Sequence, residues 1–465
     1  MNRTLAVLAG LALAGCAGEA VEPEADGLSQ EPVSTVAQGL VAVDRMGINP
    51  GDLTDLGRVD AVVNQFKLLG AKWARVEIHN TRTPDHWSAV VDKFNAAGIN
   101  VLGVLSNQTW SGGAQDPDAC GYYPGNFGWR LVNEFIPSAD PYVQRLKNRV
   151  RAWELWNEAN AGNTWLCPGN YAFLLVEARL RWSDIGDIGT STLTLGSNAD
   201  ARDYLNTLYT NTDKVLWYRN TYGSAPWTKA MHHPYPGGQT PETFIPNQAS
   251  MLRAVQPRPL WFTEIGWFGG GADEAGQADM LRRAFEKALN GNYAEKMFWF
   301  SLYDCTAPET YGLIEGCFDS YGQPRRSWWA FREVRGCGKS ALQASTGHWV
   351  VAEGGGGAQV LANRTSIGPW ESFRVVPRGG GKIALQASSG HYVVAESGGG
   401  RELLANRTGI GAWESFYVDL VGGTKVALRA DNGQWWRAEG GGGGWLYANS
   451  GGVGSWETFN LACGQ

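Results

Sequence analysis

Several common signals are missing from these 465 residues. Beyond residue 13 no apolar run is long enough to cross a bilayer, so no transmembrane helix is expected there. No Cys pair has C-x-x-C spacing and no H-E-x-x-H occurs; the adjacent His232 and His233 do not have metal-ligand spacing, so no metal is expected. No G-x-G-x-x-G follows the first strand-like segment, which argues against a dinucleotide fold, and no cofactor is called for. Positive charge is not in excess either, with 39 Lys and Arg against 45 Asp and Glu, so a nucleic-acid partner is not expected. Nothing in the chain demands more than a monomer.

What is abundant is glycine, at 62 residues, and tryptophan, at 22. Most of the tryptophans precede residue 337; about half should be core, and the remainder could offer flat faces to the apolar sides of sugars. The length is enough for two cores.

Residues 1–16 have the layout of an export signal: Arg3, an apolar stretch from Leu5 to Leu13, then small residues. Leu13-Ala14-Gly15-Cys16 resembles a bacterial lipobox, which implies cleavage before Cys16 and its lipidation. The expected location is therefore a membrane-anchored exported lipoprotein, at the outer membrane or cell surface, with extracellular release as a variant. Residues 17–39 carry five acidic side chains and two prolines and read as a disordered tether. The other cysteines are Cys120, Cys167, Cys305, Cys317, Cys337 and Cys463, an even set that favours disulfides in an exported chain. Six cysteines allow 15 pairings. Position suggests Cys305 with Cys317, Cys120 with Cys167, and Cys337 with Cys463 around the C-terminal domain.

From residue 40 to 336, strand-like and helix-like stretches alternate. The strands are read at Val41–Gly47, Lys72–Ile78, Asn100–Ser106, Arg151–Trp156, Leu193–Asn198, Lys229–His233, Leu260–Glu264 and Lys296–Leu302. Amphipathic stretches such as Gly57–Leu69, His86–Ala97, Tyr171–Trp182, Tyr204–Tyr218 and Ala275–Leu289 separate them, and Ser327–Val334 closes the series. Eight such units predict an α/β fold, a (β/α)₈ TIM barrel. Residues 337–465 differ. Leu342, Leu385 and Leu428 recur every 43 residues, as do Trp370, Trp413 and Trp456, and Phe373, Phe416 and Phe459. Three 43-residue repeats of short strands separated by glycine predict an all-β β-trefoil. The repeats resemble the fascin-like branch of that fold, which implies at most a glycan-binding or spacer module.

Two apolar runs stop at a glutamate: Trp153-Glu154-Leu155-Trp156-Asn157-Glu158 and Leu260-Trp261-Phe262-Thr263-Glu264. In a barrel every strand C-terminus opens on one face. That face would gather Arg75, Asn157, Glu158, His233, Tyr235, Glu264 and Trp299. Two carboxylates so placed suit the retaining cleavage of a glycosidic bond, with Glu264 as nucleophile and Glu158 as acid/base. Arg75 and Tyr235 would orient Glu264, Asn157 would bind the sugar 2-OH, His233 would tune Glu158, and Trp299 would floor the sugar site. Glu154 is the weaker candidate beside Glu158. Trp110, Trp165 and Trp267 are candidate sugar platforms in the loops.

Trp156-Asn157-Glu158, His233-Pro234-Tyr235 and Thr263-Glu264-Ile265-Gly266-Trp267 resemble the clan A glycoside hydrolases. The segments Tyr311–Ile314, Gly322–Pro324 and Trp328–Phe331 resemble members near families 39 and 5. Ala159 and Asn160 stand where that clan more often has Pro. The resemblance implies a retaining β-glycoside hydrolase on a β-linked polysaccharide or oligosaccharide of glucan, xylan or mannan type. An exo-acting β-xylosidase-like or β-glucosidase-like enzyme and a non-catalytic surface glycan-binding lipoprotein are the alternatives.

Overall fold

A computed structural model of the chain describes residues 42–117, 120–196, 200–269, 273–304, 310–317 and 322–465. The export segment, Cys16, the acidic tether and Cys305 lie outside the described residues. Among the described residues no helix is long and apolar enough to cross a membrane.

The first sheet contains nine parallel strands: β1 (Met46–Ile48), β2 (Trp73–Glu77), β3 (Asn100–Leu105), β4 (Ala152–Leu155), β5 (Asp187–Gly189), β6 (Thr192–Leu195), β7 (Ala230–Tyr235), β8 (Leu260–Ile265) and β9 (Lys296–Trp299). Their order is β5-β4-β3-β2-β1-β9-β8-β7-β6. The two ends of this sheet, β5 and β6, are halves of one stave broken at Thr190 and Ser191. Gly189 bridges in parallel to Lys229 just before β7, so the sheet closes on itself as an eight-staved barrel wrapped by helices.

Large side chains fill the N-terminal end of the barrel. Trp73, Leu102, Ala152, Met231, Trp261 and Phe298 form a buried cluster, with Trp73 and Trp261 in edge contact at 5.3 Å. Glycine makes the room: a Cβ on Gly47 would lie 2.3 Å from the Phe298 ring. Two residues beyond Trp73 on the same face of β2 comes Arg75. The barrel interior thus changes from aromatic to charged towards its C-terminal mouth.

Some boundaries differ from the sequence reading. The first strand begins later than Val41, because Val43–Arg45 form a 3₁₀ turn and Arg45 donates to the carbonyls of Leu289, Ala294 and Glu295. The strand read at Leu193–Asn198 omits its first half, β5. The single stretch Tyr204–Tyr218 is two helices, Asp200–Thr210 and Asp213–Tyr222. Thr212 caps the second and turns its hydroxyl onto the carbonyl of Leu208. Helices at Ile136–Leu146 and Pro241–Arg253 contain Pro141 and Pro246, which obscure their periodicity.

The second sheet is antiparallel: β10 (Ser340–Gln343), β11 (Trp349–Ala352), β12 (Val360–Arg364), β13 (Arg374–Gly379), β14 (Lys382–Gln386), β15 (Tyr392–Ala395), β16 (Leu403–Arg407), β17 (Phe416–Gly422), β18 (Lys425–Arg429), β19 (Trp435–Ala438), β20 (Leu446–Ser450) and β21 (Phe459–Cys463). β10, β21, β18, β17, β14 and β13 pair in sequence, and the bridge Ser340–Phe373 closes them into a six-stranded barrel. The hairpins β11–β12, β15–β16 and β19–β20 meet one another through single bridges at Gln359–Leu404, Leu361–Trp445 and Glu402–Tyr447. This threefold arrangement is that of a β-trefoil. The repeating Leu and Phe positions are buried in its core, whereas Trp370, Trp413 and Trp456 stand 42–44% exposed on turns.

The two barrels are joined by more than the chain. Trp329, on the helix Arg326–Val334, is buried and lines the apolar interior of the second barrel beside Phe373, Leu385 and Leu428. Arg332 on the same helix donates to the carbonyl of Ala462. A disulfide links Cys337 to Cys463, with Cα atoms 5.2 Å apart, and another links Cys120 to Cys167, at 5.6 Å. Cys317 is also disulfide-bonded.

Candidate active site

The charged mouth of the first barrel is built from strand ends. Arg75 reaches inward from β2 and is buried. Its Nε donates to Glu154 Oε2 at 2.6 Å, its Nη1 to Glu264 Oε1 at 2.6 Å, and its Nη2 to Asn157 Oδ1 at 2.9 Å. One planar guanidinium therefore fixes two carboxylates and an amide on three sides. Asn49, just after β1, accepts from Nη1 at 3.3 Å and donates to the carbonyl of Thr263.

Glu264 is held from its other side too, since the Tyr235 hydroxyl donates to Oε2 at 2.6 Å. The pairing of β8 with β9 shifts register between Phe262 and Ile265. Such an irregularity lets the consecutive Thr263 and Glu264 both reach the mouth: Thr263 Oγ1 donates to Glu154 Oε1 at 3.1 Å.

Glu158 follows β4 on a backbone that turns sharply. Trp156 has φ 73° and Glu158 φ 51°, both in the left-handed region that non-glycine residues seldom occupy. The turn is pinned by Ser191, whose hydroxyl accepts from the Glu158 amide at 3.0 Å and whose carbonyl accepts from Ala159 at 2.9 Å. The break between β5 and β6 thus has a purpose: it frees Ser191 to hold the loop that carries Glu158.

His233 lies between the glutamates. Nδ1 is 2.9 Å from Glu158 Oε1 and 3.7 Å from Glu264 Oε2, and Nε2 is 3.0 Å from Glu154 Oε1. Burial alone would lower the imidazole pKa, but Glu264 and Glu154 raise it to about 10. Burial also pushes the Glu154 carboxyl up, yet Arg75 and His233 hold it down at about 2. Burial, with Glu158 nearby, raises Glu264 above the ordinary carboxyl range despite the pull of His233, Arg75 and Tyr235. Three carboxyls thus face two cations, with Glu154 held down and Glu264 raised.

Donor atoms of Glu158, His233 and Glu264 lie within 4.8 Å of one another. His233 spends both ring nitrogens on carboxylates, and Arg75 puts a fixed cation on Glu264, so the donor set suits paired carboxyl chemistry better than metal ligation.

Six of the seven residues expected at this face come together: Arg75, Asn157, Glu158, His233, Tyr235 and Glu264. Trp299 does not serve as an open floor. It is wholly buried, stacks on Trp267 at 6.2 Å and donates its indole N–H to the carbonyl of Tyr311. The expected platforms Trp110 and Trp267 are buried as well, and Trp165 is 38% exposed. Among the described residues Phe268 is an exposed aromatic next to the site, 58% exposed and stacked at 4.4 Å on Tyr311, which in turn lies 5.6 Å from Tyr235. Sequence reasoning passed over Phe268, Ser191 and Asn49, had Tyr311 only as part of a family-like segment, and underrated Glu154. Only Glu154 carried a signal: a charged residue at an inward position within an apolar strand.

No family profile matches the chain, and no curated protein does. Solved structures similar to it include a family 39 glycoside hydrolase from Bacteroides cellulosilyticus WH2, at 15% identity and TM-score 0.46, covering 90% of this chain and 81% of that one. A GH39 β-xylosidase from Caulobacter crescentus matches at 15% identity and TM-score 0.43, covering 76% and 79%. A GH128 endo-β-1,3-glucanase from Amycolatopsis mediterranei, in complex with laminarihexaose, matches at 17% and 0.40, covering 62% and 99%. All three are glycoside hydrolases.

Proposed function

We propose that the chain is a retaining β-glycoside hydrolase that cleaves a β-linked polysaccharide or oligosaccharide by double displacement. The observation that carries this reading is the convergence of Glu158 and Glu264 on Nδ1 of His233, with an oxygen of each within 4.8 Å of the other, in keeping with the close pair of a retaining enzyme and not the wider gap of an inverting one. Glu264, oriented by Arg75 and Tyr235, attacks the anomeric carbon, and the bond to the leaving oxygen breaks as Glu158 delivers its proton there. Glu158, now ionised, takes a proton from water, whose oxygen displaces Glu264 and releases the sugar. Glu158 is the more exposed of the two side chains, at 17% against 9%, in keeping with its traffic with leaving group and water. Asn157, held through its Oδ1 by Arg75, keeps its amide N–H groups for the sugar 2-OH. A glucan, xylan or mannan is the substrate class we favour, cut endo-wise.

Hydrolysis of a β-glucan, xylan, mannan and galactan panel tests this. Wild type should cleave one polymer, Glu264→Ala should lose the activity by orders of magnitude, and Glu158→Ala should recover in part on an aryl glycoside that needs no acid. A wild type that binds a polymer and cleaves nothing would overturn the reading in favour of a glycan-binding protein. Monomers released first from a defined oligosaccharide would point to exo action.

Export and anchoring at Cys16 belong to the same proposal, supported by the N-terminal sequence and by disulfides that fit an oxidising compartment. Labelled fatty acid should enter the wild type in a bacterial host and not Cys16→Ala; equal labelling would refute the anchor.

A further inference from the structure

We infer that Glu154 is a positioning residue for the proposed reaction, a third carboxylate that aims both cations of the site at the two reacting glutamates. The inference rests on the glycosidase reading above. Glu154 is wholly buried and lies behind the mouth, so it touches no substrate. Both its oxygens are engaged. Oε2 takes the Nε edge of Arg75, which leaves Nη1 and Nη2 to face Glu264 and Asn157. Oε1 takes His233 Nε2 and the Thr263 hydroxyl, which leaves Nδ1 to face Glu158 and Glu264.

The charge of Glu154 matters as much as its reach. An amide in the same place could accept from Arg75 and donate to His233 Nε2 only with that nitrogen unprotonated, and would remove the anion that offsets two buried cations. Among the described residues the charged and titratable groups facing His233 are Glu154 and Glu158 from β4 and the turn after it, Glu264 from β8, Arg75 from β2, and His232 and Tyr235 from β7 itself. His232 brings no positive charge, because burial and His233 hold its pKa down at about 3. Glu154 is thus the anion that keeps His233 protonated at Nδ1 while Glu158 gives up and regains its proton and Glu264 makes and breaks its bond to the sugar. Without it, the hydrogen bond from Nδ1 to Glu158 would depend on the state of the very groups it is meant to hold. The arrangement parallels a buried carboxylate that fixes a histidine in hydrolytic triads, where the amide variant keeps the geometry and loses the rate.

The test compares wild type, Glu154→Gln and Thr263→Val on the cleaved polymer and on a 2,4-dinitrophenyl β-glycoside, with ¹⁵N spectra of histidine-labelled protein across neutral to alkaline pH. His233→Gln identifies the His233 signals. Glu154→Gln should lower kcat by about 10²- to 10⁴-fold, with KM changed much less and the alkaline limb of the pH profile displaced to lower pH. Thr263→Val, which removes a neutral contact to the same oxygen, should cost far less. In wild type both His233 nitrogens should be protonated at neutral pH; in Glu154→Gln they should titrate at lower pH. An active wild type with a neutral His233, or a Glu154→Gln enzyme with wild-type kcat and pH profile, overturns the inference alone. Where Glu154→Gln does not fold, the wild-type His233 signals decide the matter by themselves. An inert wild type overturns the glycosidase reading and the inference together.

Discussion

Ser191 and Glu158 are tied across the barrel mouth: the Glu158 amide donates to Ser191 Oγ at 3.0 Å while Glu158 itself holds φ 51°. A non-glycine residue in that region costs about 1–3 kcal/mol and persists only where its surroundings enforce it. Ser191→Ala should therefore lower kcat about tenfold, or roughly 1.4 kcal/mol. The loss should be larger on the natural polymer than on an activated aryl glycoside, whose departure needs little acid help. Equal losses on both substrates would mean that Ser191 acts elsewhere than through Glu158.

Arg75 makes four side-chain hydrogen bonds, to Glu154, Glu264, Asn157 and Asn49, that lysine cannot reproduce from one ammonium. Arg75→Lys should reduce kcat about 10²-fold or more, equivalent to about 2.7 kcal/mol, although charge is conserved. Steady-state kinetics on the panel substrate, with circular dichroism to confirm folding, would check this.

The charges at the mouth also shape stability against pH. Glu154, near 2 in the fold and ordinarily 4.5, adds stability that is complete above the ordinary value and is lost as pH falls towards 2. His233, near 10 and ordinarily 6.5, adds stability that is complete below 6.5 and is lost as pH rises towards 10. His232, near 3, works in the opposite sense to its neighbour: the unfolded chain takes up its proton first, so acid below 6.5 destabilises the fold. Stability should be greatest near neutral pH and fall on both sides, and His233→Gln should flatten the alkaline side. Urea titrations across pH would show it; an unchanged alkaline limb in that variant would count against the His233 contribution.

Phe268, stacked on Tyr311 at the open edge of the site, should bind a sugar equally in ground and transition states. Removing such a contact is worth about 1 kcal/mol. Phe268→Ala should thus raise KM by about fivefold and leave kcat nearly unchanged. A fall in kcat with KM constant would place Phe268 among groups that act on the transition state.

Much of this site was readable in the sequence for a simple reason. Glu158 and Glu264 each end an apolar run, and a parallel barrel sends every such end to the same face. Arg75, His233 and Tyr235 followed from the same rule. Trp299 did not, because its strand and position are compatible with either side of the wall, and only packing on Trp267 decides that its ring is enclosed. Ser191 was invisible because a serine in a polar stretch announces nothing, and its importance comes from a broken stave that periodicity cannot foresee. Glu154 was visible as an inward charge, but its partners sit on three other strands. The helices containing Pro141 and Pro246 lay hidden because proline, a poor helix former, was accommodated by tertiary packing.

Trp329 belongs by sequence to the last helix of the first barrel and by packing to the core of the second. The second barrel is therefore not an interchangeable cassette trailing the first. Cutting at residue 337 would strip an indole of its enclosure on one fragment and unstopper an apolar cavity on the other. Whatever the exposed tryptophans of the repeats meet, they meet it from a mount fastened to the first barrel through the helix Arg326–Val334.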